Sequence, residues 1–263
     1  MSDLLALYDD QERYSATEVG LRREQLPHLV RHVDLVGKSS TVIHSRVSAE
    51  TADAAIEEQM AYFARLGHDF EWKVFSHDQP PDLVQRLAAH GFQIDATETV
   101  LVLDLHSPAA EPDLKPGVSV RRLSNDDDLR EVASVKARTN GGRFADIVDR
   151  LTYERDHAPG RLSIYVACVD ATPAACGWIR FRPGGAFASL WGGSTLPELR
   201  QRGAYGALVT ARLAEARARG ARFVTVDAGP MSRPILQTRG FRVLTHATAC
   251  HRPGCRARDG RQE

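Results

Sequence analysis

The residues with the clearest chemical potential lie between Trp191 and Leu208, in WGGSTLPELRQRGAYGAL. A run that ends in small residues passes through a Pro-containing turn to Arg200-Gln-Arg-Gly203, and a helical pattern begins at once. Gly203 allows a backbone conformation closed to other residues. Small side chains let the loop backbone approach a ligand. The first amides of a helix have no internal partners, and the helix dipole adds about half a positive charge there. Arg200 and Arg202 add full charges. Together these features form an anion site suited to a pyrophosphate. An N-cap glycine beside solvated arginines has the same appearance. This loop holds no Gly-Lys-Ser/Thr, so it is not a P-loop. The preceding strand closes a meander rather than a βαβ unit, so it is not a dinucleotide fingerprint either.

The elements around this loop follow from periodicity and breakers. Val118 to Arg122 is a strand. Ser124 or Asn125 then caps a helix whose first turn carries three Asp residues. A second helix runs from Phe144 to His157 and stops at Pro159-Gly160. Strands Leu162 to Val169, Ala174 to Phe181 and Ala186 to Ser194 follow, separated by DATP and RPGG turns. Ala204 to Arg219 is helical and closed by Gly220; Arg222 to Asp227 is a buried strand. A short helix starts at Ser232, and Gly240-Phe241 returns the chain to a strand. The order is β-α-α-β-β-β-α-β-α-β, an α/β (α+β) mixed-sheet class. The first part repeats the later half of that order. It has a strand at Thr41 to Arg46, a helix at Ala52 to Leu66 and a strand at Phe70 to Phe75. A helix at Asp82 to His90 and a strand from Phe92 through Leu105 complete it. Leu87-x-x-x-Gly91-Phe92 matches Leu236-x-x-x-Gly240-Phe241. This reads as an internal duplication with a truncated first copy; two unrelated α/β pieces are the alternative. The Pro-rich stretch His106 to Gly117 reads as a linker, which gives domains at 1–110 and 117–263.

Strand, P-x-x-R-x-R-G-x-x-G-A-L, helix, strand, short helix and Gly-Phe together resemble the GNAT superfamily of acyl-CoA-dependent N-acyltransferases. Arg200 and Gly203 match the first positions of that family's R/Q-x-x-G-x-G/A signature; Tyr205 stands where its second glycine or alanine belongs. The resemblance covers residues 117–248, with residues 30–105 as a degenerate half of the same fold. It implies an acetyl-CoA co-substrate and an amine acceptor, a small molecule or peptide. The pantetheine is expected along Gly193, Ser194 and Thr195, and the pyrophosphate on amides from Gln201 through Arg202, Gly203, Ala204 and Tyr205 to Gly206. A strand amide is expected to polarise the thioester, and the free amine to attack it directly in a ternary complex.

The departures matter as much. The family's thiolate-donating tyrosine position holds Leu236, its cofactor-contacting asparagine position holds Gly229, and no glutamate occurs on Ala186–Ser194. Asp227 is the carboxylate at the next strand's end, Ser232 reads as an N-cap, and Trp191 as a core or pocket wall. No catalytic acid or base is assigned. Arg143, Asp146 and Tyr153 are acceptor-contact candidates, although residues of these types are more often ordinary surface or helix-face residues. The first copy lacks the loop: SAETADAAIEEQ has no glycine, and its acidic residues would repel a pyrophosphate. Trp72 and Phe75 read as core or packing residues there.

Composition sets the outer bounds. Lys+Arg and Asp+Glu are both 34, which argues against bulk binding to nucleic acid or anionic membranes. Hydrophobic residues at 43% and charged residues at 26% exclude a disordered, collagen-like or coiled-coil chain. The only lysines are Lys38, Lys73, Lys115 and Lys136, an arginine bias that suits a GC-rich bacterial coding sequence. No apolar run is long enough to span a membrane, and the acidic start MSDLLALYDDQERYSA lacks the features of a secretory signal. A cytoplasmic protein is expected. Cys168, Cys176, Cys250 and Cys255 lack CxxC spacing; core or tail thiols are expected rather than a metal site. Two function classes remain: an N-acetyltransferase, or a catalytically weak acyl-CoA sensor or interaction protein.

Overall fold

The computed structural model describes residues 2–107, 114–124, 126–140 and 145–254. These form two compact units, Val100–Leu244 and the remainder, Met1–Thr99 with Thr245–Glu263.

The first unit opens with helix α1 (Ser2–Tyr8) and a π-helical turn, Asp9–Tyr14. An antiparallel run β1 (Leu21–Gln25), β2 (Leu29–Asp34) and β3 (Ser39–Ser45) follows. Helix α2 (Ala52–Leu66) then crosses to β4 (Asp69–Phe75), which pairs parallel with β3. Ala55, Ile56, Gln59 and Phe63 form the buried stripe of α2. Phe63 stacks on Phe70, and Trp72 is fully buried beside them. Helix α3 (Leu83–Ala89) and the short β5 (Gln93–Ile94) complete the unit with residues 245–252 of β12 (Arg242–Arg252), which pair antiparallel with β4.

The second unit begins in β6 (Glu98–Asp104) and contains β7 (Val118–Arg122), α4 (Asp126–Asn140), α5 (Ala145–His157), β8 (Leu162–Val169), β9 (Thr172–Phe181) and β10 (Phe187–Thr195). A 3-10 turn at Pro197–Leu199 leads to α6 (Ala204–Ala218), β11 (Phe223–Ala228) and α7 (Arg233–Gln237). Its strand order is β7-β8-β9-β10-β11-β6. The sheet is antiparallel from β7 to β10 and parallel between β10 and β11. The apolar run LSIYVACV of β8 is buried on both faces. Tyr165, Ala167 and Val169 pack in the cluster of Leu208, Leu213 and Ala216 from α6. Ile164, Val166 and Cys168 pack with Leu129, Val132 and Leu151 from α4 and α5. That double cover is why no polar alternation marks the strand.

Three expectations change. The compact units part at 99/100 and 244/245, not at the linker, and residues 245–252 belong with the first unit. The strand expected from Phe92 to Leu105 is two, β5 and β6. Cys250 lies in β12, fully buried, its thiol pushed up to about 12 by burial, rather than in a tail. Cys255, the linker's 108–113 and the cap candidate Asn125 fall outside the described residues. The paired motifs share local structure: Phe92 N donates to Leu87 O at 3.1 Å, and Phe241 N to Leu236 O at 3.2 Å. Both leucines are fully buried.

Candidate functional site

The site is built where β10 leaves its neighbours. Parallel pairing with β11 runs from Phe187↔Phe223 to Ser189↔Thr225 and then stops. On the other side, β10 shifts register against β9 between Trp191 and Ser194, so Gly192 and Gly193 face the single residue Gly177. Gly192 has φ +65, and a Cβ there would collide with the Trp178 indole, which packs beneath the bulge. Under the other face lies Arg212 of α6, 1% exposed. Its guanidinium stands 2.8 Å from where a Gly177 Cβ would be. It donates to Leu208 O at 3.0 Å, Trp178 O at 3.2 Å and Trp191 O at 3.4 Å. No carboxylate pairs with it among the described residues, and burial lowers its pKa. A full positive charge is thus held under the bulge by carbonyl dipoles alone.

Beyond the bulge, Gly193 is exposed while Ser194 and Thr195 are half-buried. The chain then turns through Pro197–Leu199 into the loop before α6. Gln201 and Gly203 both take left-handed backbone, with φ 62 and 97. Gly203 is the N-cap of α6. The amides of residues 201–206 have no hydrogen-bond partner among the described residues. Arg200 is exposed and likewise unpaired, whereas Arg202 donates to Asp170 at 3.0 Å. A cation that the motif did not flag stands here: Lys115 lies across Gly203, and its Nζ donates to Gln201 O at 3.3 Å. Arg239 crosses the first turn at Gly206 and donates to Thr210 Oγ1 at 2.7 Å. Free amides, a helix N-terminus and clustered cations suit a polyanion such as a pyrophosphate.

Tyr205 departs from the small residue expected at its place. Its ring edge lies 2.9 Å from where a Gly193 Cβ would stand. Burial raises its pKa. Ser232 does sit at the N-cap of α7, but its Oγ donates to Gly229 O at 3.3 Å instead of capping the helix. Leu236 is buried core. Asp227 is half-buried near the end of β11. Trp191 is 40% exposed, not core; its Nε1 donates to Ser189 Oγ at 2.8 Å, and the Arg180 guanidinium lies 5.1 Å from its ring. Tyr153 stacks on His157 along α5, while Arg143 and the Asp146 side chain fall outside the described residues.

Sequence reasoning missed Lys136. This α4 lysine is 6% exposed, and its Nζ donates to Ser194 Oγ at 2.8 Å, 5.4 Å from the centre of the Trp178 ring. The first unit offers a contrast where β3 and β4 part after Val42↔Trp72. There Arg13 of the π-helical turn, 1% exposed, donates to Ile43 O at 3.2 Å and makes two 2.7 Å bonds to Asp78. Trp72 and Phe75 are core, as expected.

Neither a protein-family profile nor a curated protein sequence matches the chain. Solved structures do. A GCN5-related N-acetyltransferase from Kribbella flavida superposes with a TM-score of 0.69 at 14% identity, over 89% of this chain and 90% of that one. A GCN5-related N-acetyltransferase from Sphaerobacter thermophilus gives 0.62 at 14% identity, over 86% and 78%. A tandem GNAT protein from the clavulanic acid biosynthesis pathway gives 0.58 at 17%, over 85% and 78%. At such identities the likeness is one of fold. The chain has the GNAT-like mixed sheet with flanking helices that its element order anticipates.

Proposed function

We propose that the second unit is an acetyl-CoA-dependent N-acetyltransferase that acts on a primary amine of a small molecule or peptide. The observation that carries this reading is the parting of β10 from β11 after Ser189↔Thr225, with free amides of α6 at the far end of the bulged strand. In this reading the pantetheine lies along Gly193, Ser194 and Thr195, and the pyrophosphate meets the amides of Gln201–Gly206 with Arg200, Lys115 and Arg239 near it. The Arg212 charge lies under the bulge and favours negative charge developing above it. The bound thioester supplies the acyl group; the protein holds it beside the amine, and such positioning contributes much of the rate. The Tyr205 phenol, kept protonated by burial, is an acid at the β10 edge for the departing thiolate. The first unit is read as a degenerate copy whose strand parting is occupied by Arg13 and Asp78. Tyr205 against Gly193 and buried Leu236 also support a second reading, an acyl-CoA-binding sensor with little turnover.

A thermal melt with and without acetyl-CoA, on wild type and Arg200→Glu, tests the cofactor site. Ligand at about 100 times its Kd adds about 2.7 kcal/mol of stability. Arg200 is exposed on extended backbone, so charge reversal there leaves the fold alone. Gly203 is a poorer target, because a side chain at φ 97 is strained and meets Lys115. A rise in wild type that shrinks in Arg200→Glu, with affinity about tenfold weaker (about 1.4 kcal/mol), supports the site. A well-folded wild type that shows no rise sinks it.

A further inference from the structure

We propose that Lys136 is an acylation site of the chain itself, its amine taking an acyl group from acyl-CoA bound along the bulged end of β10. This rests on the acyl-CoA reading above. A lysine this deeply buried is rare without a carboxylate. Among the described residues, no carboxylate lies within ion-pair distance of its Nζ. The side chain instead runs inward from α4 past Trp178, and its amine ends on Ser194 Oγ at 2.8 Å. Ser194 is half-buried and lies on the strand edge assigned to the cofactor. A purely structural residue here gains little from a charge: an apolar side chain would pack on Trp178 without desolvating an ammonium.

The environment also supplies the reactive form. Burial holds the Lys136 ammonium below the ordinary lysine range; the Cys176 thiol on β9, itself pushed up to about 11 by burial, opposes this. More of the amine is therefore neutral at pH 7 than in an exposed lysine. Lys38 and Lys115 are exposed and Lys73 half-buried, so the chain carries its own controls.

The step balances without another reactant. The neutral Nζ attacks the thioester carbonyl carbon, a C–N bond forms and the C–S bond breaks. CoA leaves with the sulfur's electron pair and takes up the proton that the amine loses. The new amide keeps one N–H for Ser194 Oγ, and the buried charge is gone. The acyl group then stands beside the bulge, where a second thioester would lie, so the reaction limits itself.

The test incubates the full chain with acetyl-CoA at pH 7 and reads intact mass and the modified peptide over time, with a parallel melt for binding. The expected result is one added acetyl group, on Lys136, formed at least about tenfold faster than on Lys38 or Lys115. It should be absent from Lys136→Arg and Lys136→Met, which still show the acetyl-CoA-dependent rise in Tm. Binding without acetylation, or with acetylation ranked by exposure, overturns the proposal and leaves the cofactor reading standing. No binding to wild type overturns both.

Discussion

Gly192→Ala should damage the site more than any other single-methyl addition along the bulge. The backbone there has φ +65, which costs a residue with a Cβ about 1–2 kcal/mol. The added carbon would overlap Cζ3, Cη2 and Cε3 of Trp178, the most distant of them only 2.5 Å away. Trp178 is 7% exposed, packed with Leu129, Val132 and Cys176, and cannot swing clear. Overpacking of that kind costs about 1–3 kcal/mol. The two effects sum to roughly 2–5 kcal/mol, or a fall in Tm of roughly 4–20 °C for a unit of this size. Gly193→Ala is the internal control. Its Cβ meets only the ring edge of Tyr205 at 2.9 Å, a side chain that can rotate, and its φ is not positive. That variant should lose less than about 1 kcal/mol. Trp178→Leu placed in the Gly192→Ala background should recover the packing part and not the backbone part, a coupling a double-mutant cycle isolates. Calorimetric melts of wild type, the three single variants and the double variant decide it. If Gly192→Ala melts no lower than Gly193→Ala, the bulge is not held by Trp178 and the reasoning fails.

Two further outcomes follow from single residues. A ligand lying along the Gly193 edge must first displace the Tyr205 ring from it, and a displacement that costs about 1 kcal/mol weakens apparent binding about fivefold. Tyr205→Gly should therefore bind acetyl-CoA about fivefold more tightly by titration calorimetry, and weaker binding would show that the ring is instead a wall of the ligand site. In the first unit, His44 has no hydrogen-bond partner on either ring nitrogen among the described residues. Burial, with Arg13 adding to it, lowers its pKa from 6.5 to about 4. The unfolded chain then takes the proton first. Stability is unaffected above about pH 6.5, falls through the window from 6.5 to 4, and loses roughly 2–4 kcal/mol in full below it. His44→Phe should flatten that part of the Tm-against-pH curve; parallel curves for the two proteins would refute the assignment.

Much of the frame is legible in the sequence because local signals agree with tertiary ones. Helix α2 has the bounds its period and Gly67 imply, and β8 to β11 fall where turn residues bracket the apolar runs. What escapes is non-local. Nothing in Thr245–Arg252, a mixed run of Thr, His, Ala and Cys ending in Arg, tells which unit it joins. The left-handed Gly192 shows only as a glycine pair, and the reason for it, Trp178, lies on another strand. Two signals for the site were nonetheless present. Arg212 occupies a position that the 3.6-residue period assigns to the buried stripe of Leu208, Val209, Leu213 and Ala216. Lys136 is a lysine in a chain whose basic residues are almost all arginine. A charge on an apolar stripe is evidence of a local demand, even before its partner is known.

The two units answer the same physical problem in opposite ways. Each has parallel strands joined by a 15-residue helix, β3 and β4 through α2, β10 and β11 through α6, and in each the strands part before they end. Parted strands leave backbone polar groups that must be satisfied. In the first unit Arg13 takes the Ile43 carbonyl, while Asp78 both neutralises Arg13 and accepts from Phe75 N at 3.0 Å. The Arg13 charge and the parted backbone groups are thus met by the chain's own side chains. In the second unit Arg212 takes the carbonyls of Trp178 and Trp191, yet no carboxylate among the described residues neutralises it, and the amides of residues 201–206 stay unpaired. Unpaired amides beside a buried, uncompensated cation are completed by water or by an anionic ligand. The asymmetry of charge, more than the glycine-rich loop by itself, distinguishes the strand parting proposed to receive a ligand from the one that already holds its own side chains.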